Sequence, residues 1–298
     1  MGGAFTAVAD DAFAFHWNPA GYAFGPVVQA GFHWGDSQMD RDFEIDERDG
    51  SIAADRVTGF GIGFTFMGVG TTFSRHTTSE RDGDWAANRG LETFDLAVSL
   101  LYSLPLDNLV IAGNVHYLRG ETFDLMEPLR SRDAYDSPAV LDRVLTGEGI
   151  ASSTATVDLA ALYELDRRFR VGVMWRRITE PGFETESGGE MVLPRHARAG
   201  VAFELPASAL VSFDADLSTQ RAGADRFREL SLGFEKGLFD GALSLRAGLR
   251  AEAGSGRGAR PAFSLGAGAE IRFLLAEVAY VSSSEGRDET VWFALTVR

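Results

Sequence analysis

The sequence predicts an all-β fold, a transmembrane antiparallel β-barrel of about fourteen strands. Three observations predict the barrel. Apolar residues recur with a period of two in one segment after another, the connections between segments alternate short and long, and charges fall on the face opposite the apolar one. A helical membrane protein is excluded, because no run of about eighteen apolar residues occurs. A barrel needs no such run, since each strand carries only ~10 residues of alternating polarity.

The alternation is clearest in the middle and the C-terminal half. Phe94, Leu96, Val98 and Leu100 share one face, and Thr93, Asp95, Ala97 and Ser99 the other. Phe169, Val171, Val173 and Trp175 alternate with Arg170, Gly172, Met174 and Arg176; near the end, Val291, Phe293, Leu295 and Val297 oppose Trp292, Ala294, Thr296 and Arg298. A period of two means a strand with one apolar face. Such runs place strands at 26–35, 56–67, 69–77, 91–103, 108–119, 153–165, 168–178, 196–205, 209–218, 227–236, 242–251, 262–272, 274–282 and 289–298.

Short turns follow every even strand: Gly68, residues 105–107, 166–167, 206–207 and 237–241, and a reversal near Phe273. Long polar connections follow the odd ones, at 36–55, 78–90, 120–152, 179–195, 219–226, 252–260 and 283–288. This asymmetry, with both termini on the short-turn side, is how outer-membrane barrels are built. The non-apolar face carries Asp95, Asp158, Arg170, Arg176, Arg198, Asp214, Arg246 and Glu277, among others. A charge facing lipid at the bilayer midplane costs ~2–4 kcal/mol, so these residues belong in the lumen, where opposite signs can pair and brace the interior.

Composition narrows the function. A formal net charge of −15 argues against nucleic acid or an anionic membrane surface as partner. The absence of cysteine excludes disulfides and thiolate-bound metals. The histidines His16, His33, His76, His116 and His196 form no hydrolase or metal motif; His116 and His196 are expected in the lumen as structural hydrogen-bonding groups. No enzyme activity, cofactor or metal is expected. No secretion signal precedes Met1-Gly2-Gly3-Ala4-Phe5, so the chain reads as a mature form or one with a truncated start, and it stops at Val297-Arg298 without a terminal aromatic.

Residues 1–25 do not read as a strand. Thr6 is positioned to cap a short Ala-rich helix, which Pro19 would stop just after Asn18. Gly-Gly-Ala-Phe, then Ala-Val-Ala-Asp-Asp-Ala, then Trp-Asn-Pro-Ala-Gly in this segment resembles the start of FadL-type outer-membrane proteins, a superfamily of fatty-acid and hydrocarbon transporters that also includes PorV-type barrels. The resemblance implies an outer-membrane location, a fourteen-stranded wall formed by residues 26–298, and residues 1–25 folded inside it as a plug. It places Asn18, Pro19 and Ala20 in the plug and makes Phe13, Phe15, Trp17, Phe24 and Phe123 candidates for ligand contact. One feature of the wall agrees: Phe60, Ile62 and Phe64 point outward, leaving Gly59, Gly61 and Gly63 inward beside Gly31. Such a row either lets another backbone approach closely or permits bends in the wall. The expected seat is Asn18-Pro19-Ala20 against Gly59, Gly61 and Gly63.

The function implied is passive uptake of a hydrophobic small molecule, fatty-acid-like or hydrocarbon, by a barrel embedded in outer-membrane lipid and gated by the plug. The alternative is a PorV-like scaffold binding a protein partner through its extracellular loops, chiefly the connection between Gly120 and Ser152. A plain porin for polar solutes requires an open bore, which an inserted N-terminus would obstruct.

Overall fold

The computed structural model describes residues 1–41, 53–82, 85–103, 108–128, 148–222, 225–254, 260–283 and 288–298. Chain order begins with a single helical turn, α1 (Ala14–Trp17), and a 3-10 turn (Pro19–Ala23). Strands follow as β1 (Ala30–Arg41), β2 (Ala53–Phe64), β3 (Val69–Asp82), β4 (Trp85–Ser103), β5 (Leu109–Pro128), β6 (Ile150–Asp166) and β7 (Phe169–Arg176). A small hairpin, β8 (Gly182–Glu184) and β9 (Glu190–Val192), precedes β10 (His196–Leu205), β11 (Ala209–Asp216) and the short β12 (Gln220–Ala222). The chain closes with β13 (Asp225–Leu238), β14 (Leu243–Gly254), β15 (Arg260–Ile271), β16 (Leu274–Ser283) and β17 (Asp288–Val297).

Sequence neighbours pair antiparallel, β10 pairs with β7, β11 with β13, and β17 with β1. Fourteen strands thus close into a ring, with β8, β9 and β12 outside it. Closure leaves no free edge, which is the condition for a sheet to stand in a bilayer. The outer face carries Trp34, Phe60, Phe94, Leu100, Tyr163, Trp175, Phe213 and Phe263, all solvent-exposed in the isolated chain. The inner face buries Asn114, His116, Asp158, Arg198, Asp214 and Asp216. Apolar outside and polar inside is the inverse of a soluble protein, and it defines a membrane barrel.

The strand positions agree with the alternation to within a few residues, and the departures have physical causes. Residues 26–29 are not strand: Pro26 has no N–H for the ladder, and pairing begins at Ala30. At the long-loop end, β1 to β5 run past their expected limits, to Arg41, back to Ala53, to Asp82, back to Trp85 and to Pro128. Their sequences, such as Ala53-Ala54-Asp55 and Trp85-Ala86-Ala87-Asn88, do not alternate cleanly, so the pattern fades while the antiparallel ladder continues. β7 stops two residues early, because Arg177 takes a left-handed backbone (φ 52°). Thr6 caps no helix; its amide is used elsewhere, and only four residues of α1 are helical. Most of the 120–152 connection, including Pro138, lies outside the described residues, as do residues 42–52 and the turn at 104–107.

Candidate functional site

Residues 4–22 of the N-terminal segment pack against the inner face of the ring. Their apolar side chains divide into two clusters: Ala7, Val8 and Ala20 pack with Val110, Ala112, Leu162 and Ala202 of the wall, and Ala9, Phe13, Ala14, Phe15 and Tyr22 pack with Ala97. Hydrogen bonds then fix the backbone at points 99 to 209 residues distant in sequence. Phe5 N and Thr6 N both donate to Asp214 Oδ2 (3.0 and 2.9 Å), Ser212 Oγ donates to Ala4 O (2.9 Å), and Asn114 Nδ2 donates to Phe15 O (2.7 Å). Asn18 is fully buried. Its Nδ2 donates to Thr6 O (2.8 Å) and to Ala161 O on β6 (3.2 Å), and its Oδ1 accepts from Ala20 N (3.1 Å). Asn18 therefore ties the start of the 3-10 turn to an earlier turn of the segment and to the wall, and Pro19 ends α1 at Trp17.

Where the segment touches the ring, the wall is stripped to backbone. A Cβ on Gly63 would run into Ala12 O, one on Gly31 would lie 2.7 Å from the Phe13 ring, and one on Gly172 would lie 2.5 Å from Thr6 O. Gly70 meets Phe15, and Gly248 meets the backbone of Met1 and Gly2. Several of these positions are direct cross-strand partners, Gly31 with Gly63, Gly63 with Gly70, and Gly233 with Gly248.

The expected seat needs correcting. Ala12, Phe13 and Phe15 cover Gly31 and Gly63, whereas Asn18 lies near Gly172 on the far side and Pro19 and Ala20 sit in a turn packed toward β4, β5 and β6. A Cβ on Gly61 would meet His33 and Thr72, and one on Gly59 would meet the β3 backbone at Phe73. The cause is chain direction. Thr6 and Asn18 both lie at Gly172 of β7, and the residues between them reach across to β1, β2 and β3.

A cavity of about 1240 Å³ lies in the lumen beside the segment. Leu91, His76 and Leu118 border it toward the long-loop end, and Arg170, Glu204 and Arg298 toward the short-turn end. From the segment it is lined by Phe5, Val8, Asp10, Asp11, Phe13, His16 and Trp17. Of the aromatic candidates, Phe13 and Trp17 border it. Phe15, Phe24 and Phe123 do not: Phe15 is sunk against Gly70, Phe24 packs on the Ala7–Val8 cluster, and Phe123 lies against Gly149. At the long-loop end the β8–β9 hairpin folds inward. Phe183 is fully buried against Leu91 and Leu118, and Thr122 Oγ1 donates to Glu184 O (2.6 Å).

The segment presents different chemistry to the two ends. Asp10 and Asp11 border the cavity among Arg170, Arg246 and Glu277, and burial pushes the Asp11 carboxyl up to about 7. Burial holds His16 well below the ordinary imidazole range, so its neutral Nδ1 can accept from Arg176 Nη2 (3.3 Å). The wall charges are mostly paired. His116 lies between Asp95 (2.9 Å) and Asp158 (2.8 Å), His196 bonds Asp216 (2.7 Å), and Arg246 is gripped by Glu235 (2.6 Å) and Glu277. Trp292 and Arg177 are among the cavity residues outside the expected set. Trp292 was legible as inward from its alternation with Val291 and Phe293; Arg177 was not, because alternation assigns it to the lipid face.

The fold and its lumen define a membrane β-barrel whose bore holds its own N-terminal segment. No family model matches the chain, and no curated protein matches it. Solved structures do. A FadL homologue of Pseudomonas aeruginosa aligns with a TM-score of 0.62 at 13% identity, covering 98% of this chain and 95% of that one. The monoaromatic hydrocarbon channel CymD aligns at 0.59 and 14% identity (99% and 94% covered), and the Pseudomonas putida toluene transporter TodX at 0.58 and 11% (97% and 94%). At these identities the likeness establishes a FadL-type fold.

Proposed function

We propose that the protein is a bacterial outer-membrane channel for passive uptake of hydrophobic small molecules, with residues 1–25 as a plug whose displacement gates the passage. The observation that carries this reading is the seat of the N-terminal segment. A bore lined by glycine where a folded segment lies against it, with Phe5, Phe13 and Trp17 facing the space left over, suits a gated apolar path better than an open aqueous pore. Proteins of the same fold described as a monoaromatic hydrocarbon channel and a toluene transporter support the choice of ligand class. The apolar outer belt would be solvated by outer-membrane lipid.

The test compares planar-bilayer conductance of the whole chain and of a chain lacking residues 1–25, beside uptake of toluene and of a fluorescent fatty acid by cells that lack their own transporter. Low conductance that becomes large and steady on removal of the segment, together with uptake above an empty vector, is expected. Equal conductance of the two chains would reject the gate, and absence of uptake would reject the transport reading. A stoichiometric protein co-purifying with a barrel inactive in uptake would favour the scaffold role.

A further inference from the structure

The lumen arginines are not alike. Arg170 lies 3.1 Å from Glu204, Arg198 pairs with Asp214, Asp216 and Glu229, Arg246 with Glu235 and Glu277, Arg250 with Glu229, and Arg298 with Glu270. Arg176 and Arg177 border the same cavity, and among the described residues neither has a carboxylate partner. Arg177 Nε is buried without any hydrogen-bond partner. The nearby carboxylates are committed. Asp158 Oδ1 accepts from the Arg177 backbone N (2.7 Å), Asp158 Oδ2 takes His116 Nε2 (2.8 Å) and Asn114 Nδ2 (3.3 Å), and Asp95 holds His116 Nδ1 (2.9 Å).

The backbone has been bent to bring Arg177 here. Strand alternation would send it to lipid, next to the inward Arg176; the left-handed conformation at φ 52° turns it to the lumen, and Asp158 holds the turn. A non-glycine residue kept in that region needs over-determination by its surroundings and often marks a function. Two adjacent guanidinium groups, one with a buried N–H lacking an acceptor, lack what a ligand carboxylate supplies: oxygens matching the planar fork. The space beside them is aromatic. Phe5, Trp17 and His16 form one group of rings, with centroids 5.7 and 5.3 Å apart. Across the lumen, Phe13 packs with His33 of β1 and Trp292 of β17 in a second group, at 4.7 and 6.0 Å, with Trp292 lying over Gly35.

We propose that Arg176 and Arg177 form a lumen anion site for the carboxylate of an aromatic acid, whose ring system packs among these side chains. The channel then favours an aromatic carboxylate over the neutral hydrocarbon of the same shape. This rests on the uptake reading above and narrows its substrate.

The test is equilibrium binding of radiolabelled 2-naphthoate, naphthalene and decanoate to the purified full chain in detergent, with heat-modifiable gel migration as the check on folding. Naphthoate should bind about tenfold tighter than naphthalene, the scale of one charge-assisted hydrogen bond. Arg176→Gln and Arg177→Asn, the latter because asparagine tolerates a left-handed backbone, should remove that preference and leave naphthalene unchanged within about twofold. Arg176→Gln alone carries the test if Arg177→Asn fails to fold. The outward Arg75→Gln should change nothing. Equal binding of naphthoate and naphthalene, naphthoate binding indifferent to both substitutions, or decanoate binding tighter than naphthoate would overturn the proposal. Cells that take up naphthalene through the barrel without any carboxylate preference would sink this inference alone; cells that take up neither would sink the uptake reading.

Discussion

Arg198 on β10 and the Arg176–Arg177 pair at the end of β7 stand on neighbouring strands of one wall, and the protein treats them in opposite ways. Every nitrogen of Arg198 has a partner: Nε donates to Asp214 Oδ2 (3.2 Å), Nη1 to Glu229 Oε1 (2.9 Å) and Nη2 to Ser231 Oγ (2.7 Å). Asp214 in turn receives the amides of Phe5 and Thr6, so the charge cluster reaches the N-terminal segment. The Arg176–Arg177 pair has a cavity where Arg198 has carboxylates. A completed network is structural: it fixes geometry and leaves nothing for a ligand to add. An incomplete one in a concave apolar site is where a ligand gains most.

The comparison breaks first at Arg198. Arg198→Met leaves the buried Asp214 without its cation and takes a partner from Asp216 and Glu229, and should cost about 3–5 kcal/mol, the usual penalty for removing one partner of a buried pair; urea unfolding in detergent measures it. Asp214→Ala should add loss of the segment's anchor, read as raised bilayer conductance. A smaller effect is expected from the steric seat. Gly63→Ala drives a methyl group into Ala12 O and should cost about 1–3 kcal/mol by overpacking, again with higher conductance, whereas Gly189→Ala, whose Cβ meets nothing closer than 3.4 Å, should be silent.

A pH dependence is expected from Asp11. Its carboxyl is held at about 7 in the seated segment and would return to 3.8 if released, so release sheds a proton. Seating is then fully favoured below 3.8 and weakens as pH rises through 7, and conductance should climb over that window. Asp11→Asn should flatten the profile. The smallest effect belongs to Arg75, which pairs with Glu92 at 2.6 Å on the outer surface with half its side chain exposed. Arg75→Ala should change stability by no more than about 1 kcal/mol, showing that pairing matters through burial.

Much of the wall was legible because a half-apolar strand must alternate, and β10 begins and ends at the expected residues, His196 and Leu205. The extensions of β1 to β5 were not, since the apolar and polar residues there do not alternate cleanly. The inward charges were readable residue by residue, but their division into completed and incomplete pairs depends on which strands meet. Arg198 faces Asp216 only because β10 and β11 take that register. The seat of the segment was half readable. Inward glycines signalled close approach, yet nothing local told Gly63 that Ala12 rather than Asn18 would arrive. Arg177 was hidden most completely, because its direction is set by one dihedral angle that Asp158 stabilises from another strand.

The seat has a consequence for the order of assembly. Its parts come from both ends of the chain: Gly31 and Gly63 from the first strands, Asp214, Gly233 and Gly248 from strands at least 150 residues later. The segment precedes all of them in sequence, yet its binding surface does not exist until the ring has nearly closed. Contacts of such long separation form late and slowly. The first residues of this chain should therefore be among the last to acquire fixed positions, and protection of the Phe5 and Thr6 amides from exchange should lag behind that of the hairpins.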